Sequence, residues 1–212
     1  HAIEERDAAA IVAIVGFTKH ANVIMGWNRN VSQAGEVIHH ALAPEVFGSS
    51  GTSMEAAAKA LAEVFDMLPP TFESARRLAI VVSDGEDTMR TASLGYAVDT
   101  IAGAGFDVIA LQAGSLDADE GVPAYDGAGE FIGFERIGGR LHTHPDVAAM
   151  VALAMAYEGR GLYLRAEAPG ASRRMFDFAY GASAGRSGFD TALLPTFGMF
   201  SAVFLLLAWI LR

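Results

Sequence analysis

Apolar residues along this chain fall into two patterns, unbroken β-branched runs and helically spaced stripes, and the two alternate. Ile11 to Phe17 and Leu78 to Val82 are runs without polar interruption, the form taken by strands covered on both faces, and Phe106 to Leu111 reads as a further strand. Ala21 to Trp27 follows the Thr18-Lys19-His20 turn and reads as an antiparallel or edge neighbour of the first run. Between the runs, Val31 to Leu42 suits a short helix. Met54 to Met67 carries Ala57, Ala58, Leu61, Val64 and Phe65 at helical spacing, with Leu68 just beyond, until Pro69-Pro70 stops it. A further helix is predicted over Thr91 to Ala104, closed by Gly103 and Gly105. The order β-α-β-α-β predicts an α/β fold, a doubly wound and mostly parallel sheet with crossover helices.

Downstream the pattern loosens. Asp119 to Leu141 holds six glycines around Phe131-Ile132-Gly133-Phe134 and Arg136-Ile137, which reads as a hairpin excursion at the sheet edge. Helical spacing resumes over Pro145 to Tyr157, Gly161 to Arg165 suits a last strand, and Phe176 to Tyr180 continues toward a Gly-Ser-rich linker. From Thr191 to Leu211 no residue is charged. A run of about 20 such residues is long enough to cross a bilayer, and Pro195 falls in the first turn, where a helix tolerates it. The predicted organisation is therefore an α/β domain over 1–180, a linker over 181–190 and a transmembrane helix over 191–212.

Composition adds constraints. Positive mean hydropathy coexists with a formal net charge of -10, because the apolar excess sits in the tail and the acid in the domain. An acidic balance argues against nonspecific nucleic-acid binding. The chain has no cysteine, which excludes disulfides and thiolate metal sites.

The most informative chemistry lies where the Leu78 run ends in Ser83-Asp84-Gly85-Glu86-Asp87. Open α/β sheets gather ligands at the carboxyl ends of their strands, so Asp84 is placed where such folds do chemistry. Capping of the following helix by the same Ser and Asp residues is an equal alternative. Three other constellations call on metal or nucleophile chemistry. His142-Thr143-His144 with Asp146 has metal-ligand residue types, but the two imidazoles share a face only in a strand, and a loop before a helix at Pro145 explains them as well. Asp117 to Gly121 resembles the start of a calcium loop, yet Ala128 stands where the bidentate Glu belongs. Gly181-Ala182-Ser183-Ala184-Gly185 matches the nucleophile elbow without the strand and helix that give the elbow its geometry. His39-His40 falls on a helix face that solvent explains.

Gly51-Thr52 heading a helix, followed by an apolar strand ending in Ser83-Asp84-Gly85-Glu86-Asp87, resembles the von Willebrand factor A domain family. The Gly121-Val122-Pro123 excursion, the Val147 to Ala156 helix and the Gly161-Leu162-Tyr163 ending are similar to its membrane-anchored bacterial branch, the Bat aerotolerance proteins and the accessory proteins of methanol oxidation. The resemblance implies a metal-ion-dependent adhesion site, holding Mg²⁺ or Ca²⁺, with Thr52 and Asp84 as the metal ligands carried by this chain. The family's remaining ligands lie in an Asp-x-Ser-x-Ser loop after a first strand, and that motif does not occur here. The amino-terminal part of the domain, with its first strand and loop, is accordingly expected to be missing, and the ion site incomplete.

The function that follows is a non-enzymatic, membrane-anchored interaction module acting in assembly or maturation of a membrane or periplasmic complex. Its implied partners are other membrane or periplasmic proteins and a MoxR-type AAA+ ATPase. Two other classes stay open: a structural subunit with a non-functional metal site, and a membrane-anchored hydrolase using Asp84, Glu86, Asp87 and Ser183 with His142 or His144 as base. Arg173, Arg174 and Arg186 before the tail against Arg212 after it favour a cytoplasmic domain. The resemblance implies a periplasmic one on the bacterial inner membrane, and that expectation is adopted.

Overall fold

The computed structural model describes residues 11–41, 52–73, 75–88, 93–114, 123–125, 130–134, 145–180 and 202–209. Its elements in chain order are β1 (Ile11–Phe17), β2 (Ala21–Asn28), α1 (Val31–Ala41), α2 (Met54–Asp66), a 3-10 turn (Pro70–Phe72), β3 (Arg76–Ser83), α3 (Ser93–Ala104), β4 (Asp107–Gln112), β5 (Pro123–Tyr125), β6 (Phe131–Phe134), α4 (Val147–Ala154), β7 (Leu162–Arg165), α5 (Ala171–Tyr180) and β8 (Ala202–Trp209).

The main sheet runs β2-β1-β8-β3-β4-β7. β3 pairs parallel to β4, and β4 parallel to β7. β1 has the same direction as these strands, since it is joined to β3 through two antiparallel steps across β8. β2 folds back on β1 as an antiparallel edge strand. The predicted hairpin excursion is present as the two-stranded ladder β5-β6.

The unbroken apolar runs have the cause expected of them. Every residue of β1 is buried, as is β3 from Leu78 to Ser83, because helices cover both faces. Ala13, Val15, Phe17, Ala79, Val81, Val108 and Ala110 pack with Met54, Leu61 and Val64 of α2, Ile101 of α3, and Met150 and Leu153 of α4. The alternate residues Val12, Ile14, Leu78, Ile80, Val82, Ile109 and Leu111 pack on the other face with Ala34 of α1 and Ala179 of α5. Burying one large aliphatic side chain contributes about 1.5–3 kcal/mol, so this two-sided core is the main source of stability. Trp27 adds a cross-element tie, donating its indole N–H to the Val64 carbonyl at 2.7 Å.

Two expectations are corrected. The polar segment ahead of the linker is a full helix, α5, which brings Met175 and Phe178 against the second core. The tail differs more. Of the membrane-crossing helix expected over 191–212, residues 191–201 and 210–212 lie outside the described residues, and Ala202–Trp209 is the strand β8, paired residue by residue with β1 and β3. Among the described residues, no helix is long and apolar enough to cross a membrane. The physical reason is that a central strand and a bilayer span both demand an uninterrupted apolar run, which composition alone does not separate. The linker over 181–190, the Ser183 elbow, the His142-Thr143-His144 group and the Asp117 loop lie outside the described residues.

Candidate functional site at the carboxyl edge of the sheet

β1, β3, β4 and β7 all end at one edge, and the loops that leave it come together there. β3 stops at Ser83 because the next residues turn on their own side chains. Ser83 Oγ accepts from Gly85 N at 3.0 Å, and Asp84 Oδ1 accepts from Glu86 N at 3.0 Å. Such local bonds compete with strand continuation and favour a turn. Gly85 takes φ +83°, a left-handed conformation that suits glycine. α3 begins only at Ser93, so this turn does not serve as its cap.

Neighbouring elements hold the turn from three sides. Gln112, fully buried at the end of β4, donates to the Asp84 carbonyl at 2.5 Å and accepts from the Tyr163 hydroxyl of β7 at 3.2 Å. The same Asp84 carbonyl accepts from Asp146 N at 2.9 Å, and Asp146 caps α4 by accepting from Ala149 N at 2.9 Å. This cap is the helix-start role weighed for the Pro145 loop. Burial, ahead of the charges of Arg165 and Glu167, pushes the Tyr163 phenol above its usual value.

Thr52 arrives from the loop before α2, where Ser53 caps the helix by accepting from Ala56 N and donates its own N–H to Thr18 O. Thr52 is tied to Thr88 by three bonds. Its N–H donates to Thr88 Oγ1 at 2.8 Å, and its carbonyl accepts from Thr88 N at 3.1 Å and Thr88 Oγ1 at 3.3 Å. The two residues singled out as metal ligands, Thr52 and Asp84, are thereby brought to one edge, with Thr52 bound through its backbone. Glu86 and Asp87 stand half-buried beside them and Asp146 is exposed.

As a cation site, this set is short of donors. Mg²⁺ and Ca²⁺ take about six or more oxygens, whereas Thr52 and Asp84 are two side chains. Among the described residues no group of three or more His, Asp or Glu is arranged to hold a metal ion. Gln112, Tyr163, Asp146 and Thr88 did not stand out in the sequence as parts of this edge. The signal available was that β4, like β3, is an apolar run ending on a polar residue, and the parallel register sets Ser83 beside Gln112.

No protein-family model matches this chain, and no curated protein matches it. Two solved structures share its fold. The conserved hypothetical protein BatB from Bacteroides thetaiotaomicron superposes with a TM-score of 0.61 at 18% identity, over 78% of this chain and 75% of BatB. An aerotolerance-related membrane protein from Bacteroides fragilis superposes with a TM-score of 0.61 at 21% identity, over 79% of this chain and 77% of that one. At such identities the likeness is one of fold: the chain has the α/β architecture of these Bacteroides proteins.

Proposed function

We propose that this chain is a non-catalytic interaction module of von Willebrand A type, whose working surface is the carboxyl edge formed by Asp84, Glu86, Asp87 and Asp146 beside Thr52. The observation that carries this reading is the triple tie of Thr52 to Thr88. It locks a loop preceding α2 onto the acidic turn after β3, making one rigid recognition surface from distant sequence. A surface held in advance loses less entropy on binding. The module acts at the bacterial inner membrane, facing the periplasm, in assembly or maturation of a complex. Its partners are membrane or periplasmic proteins and a MoxR-type AAA+ ATPase. Support for the membrane setting is the Bacteroides fragilis neighbour, itself described as a membrane protein.

The donor shortfall favours a contact that needs no cation. Site-specific photo-crosslinking in cells tests the reading, with the reactive residue placed at exposed Ala148 in the first turn of α4 or, on the opposite edge, at exposed Glu73. A defined adduct from position 148 alone, lost on Asp84→Ala and unchanged by chelator, is expected. Equal adducts from both edges would refute the docking edge. An adduct that requires Mg²⁺ would instead restore Thr52 and Asp84 to an adhesion-site role.

A further inference from the structure

The opposite edge of the sheet carries a second feature of different charge. At the amino ends of β3, β4 and β7 an open groove of about 590 Å³ is lined by Arg76, Arg77, Arg160, Glu73, Asp107 and Tyr157. Its three guanidiniums outnumber the two carboxylates of the lining, with Glu158 reaching Arg160 from outside it, in a chain whose net charge is -10. We propose that this groove binds a phosphate-bearing group.

The arginines are held in place before any ligand arrives. Arg76 donates from Nε to Asp107 Oδ2 at 2.8 Å and from Nη1 to the Phe178 and Ala179 carbonyls at 3.1 and 2.7 Å, where α5 runs out of helical partners. Arg77 donates from Nη1 to the Ala104 carbonyl at the end of α3, at 2.7 Å, while its guanidinium stacks on Phe65 at 4.2 Å. Each guanidinium has five N–H donors, so these bonds fix the planes and leave donors over. Arg160 is the responsive member. Its guanidinium lies over the Tyr157 ring at 4.4 Å, and its approaches to Asp107 and Glu158, both at 3.6 Å, are longer than hydrogen bonds.

The acceptor side of the groove narrows the ligand. Asp107 Oδ1 is buried without a hydrogen-bond partner, a costly condition that a donor relieves. A phosphate that carries a hydroxyl, either its own or that of an attached glycerol, satisfies both halves. Its anionic oxygens take the forked arginine donors, and once Arg160 turns onto the ligand its O–H can reach Asp107 Oδ1, which Arg160 flanks at 3.6 Å. Inorganic phosphate and a phosphatidylglycerol headgroup share this chemistry. The groove lies beside the last turn of α5, where Arg76 holds the helix end, so a lipid bound here would turn the acidic edge away from the bilayer.

Two probes separate the sources, both with the full chain at low salt. Inorganic phosphate is titrated by calorimetry, and co-sedimentation compares phosphatidylcholine vesicles with and without phosphatidylglycerol. Arg160→Gln removes the donor that supports no element, and is expected to weaken binding about tenfold, the loss of one charge-assisted contact. Glu73→Lys adds a cation to the rim and is expected to tighten binding in a protein with an unchanged melting profile. Phosphate binding sensitive to both substitutions identifies a free-phosphate site, and sensitivity of the phosphatidylglycerol preference identifies a headgroup site. The proposal is overturned if neither probe binds, or if binding ignores both substitutions.

Discussion

Replacing Gly85 by alanine gives the sharpest test of how the carboxyl edge is built. A Cβ at this position would lie 2.3 Å from the Asp146 carbonyl oxygen and 2.9 Å from Met150 Cγ. Two costs combine. Holding a non-glycine residue at φ +83° costs roughly 1–2 kcal/mol. The clash is with backbone, so the start of α4 must retreat by about an ångström, which loosens the Asp146 N–H bond to Asp84 O and the packing of buried Met150 at a further ~2–3 kcal/mol. Gly85→Ala should therefore destabilise by roughly 3–5 kcal/mol in all. Gly114 is the control: it has φ +85°, but the nearest atoms to its Cβ, Asp84 Cβ and Pro145 Cγ, are at 3.9 Å, so Gly114→Ala should cost only ~1–2 kcal/mol. In thermal unfolding followed by circular dichroism, the difference corresponds to roughly 4–12 °C between the two variants. Equal melting temperatures would refute the close approach of α4 to the turn.

Other consequences concern the groups that support the same edge. Gln112→Leu should cost about 1–3 kcal/mol by stranding the Tyr163 hydroxyl, and adding Tyr163→Phe should recover part of that loss; strict additivity in urea midpoints would argue against the bond. Asp146→Ala removes the α4 cap and should lower stability by ~1 kcal/mol, read from denaturant unfolding, with Asp146→Asn close to the parent. Tyr163 keeps its proton in the folded chain above its ordinary value of 10.0, while the unfolded chain releases it. The stability tied to this phenol is thus complete below about pH 10 and is lost as pH climbs through the raised value. Tyr163→Phe should flatten that part of the alkaline decline in urea midpoints compared between about pH 9 and pH 11, and an unchanged slope would contradict it.

Much of the α/β architecture was legible because its causes are local. β1 is a continuous apolar run and β3 and β4 have apolar centres, α2 has a clean stripe between Ser53 and Pro69, and the acidic turn after Val82 is written in consecutive residues. α5 was not recognised as a helix because Arg173, Arg174 and Asp177 dilute its stripe, and its apolar side gains meaning only from the second core. Within the tail, uncharged Ala202–Trp209 satisfies the composition of a span as well as that of a strand, and only the ladders with β1 and β3 distinguish the strand. At the site, Asp84 and Thr52 were legible as residues. Thr88, Gln112, Asp146 and Tyr163 were not, because their part depends on which strand ends lie side by side.

The position of β8 also sets an order of events during synthesis. Ile11 pairs with Ala208, and Arg76 with Trp209, so β1 and β3 share no ladder until residues 202–209 have been translated. Until then the nascent chain holds two half-sheets, β2-β1 and β3-β4-β7, each with an open apolar edge. Such edges template pairing with other chains, and closing them needs contacts of very high sequence separation, which form slowly. Newly made chains would accordingly depend on a holding chaperone over this interval, and arrest of translation before residue 202 would leave both half-sheets exposed.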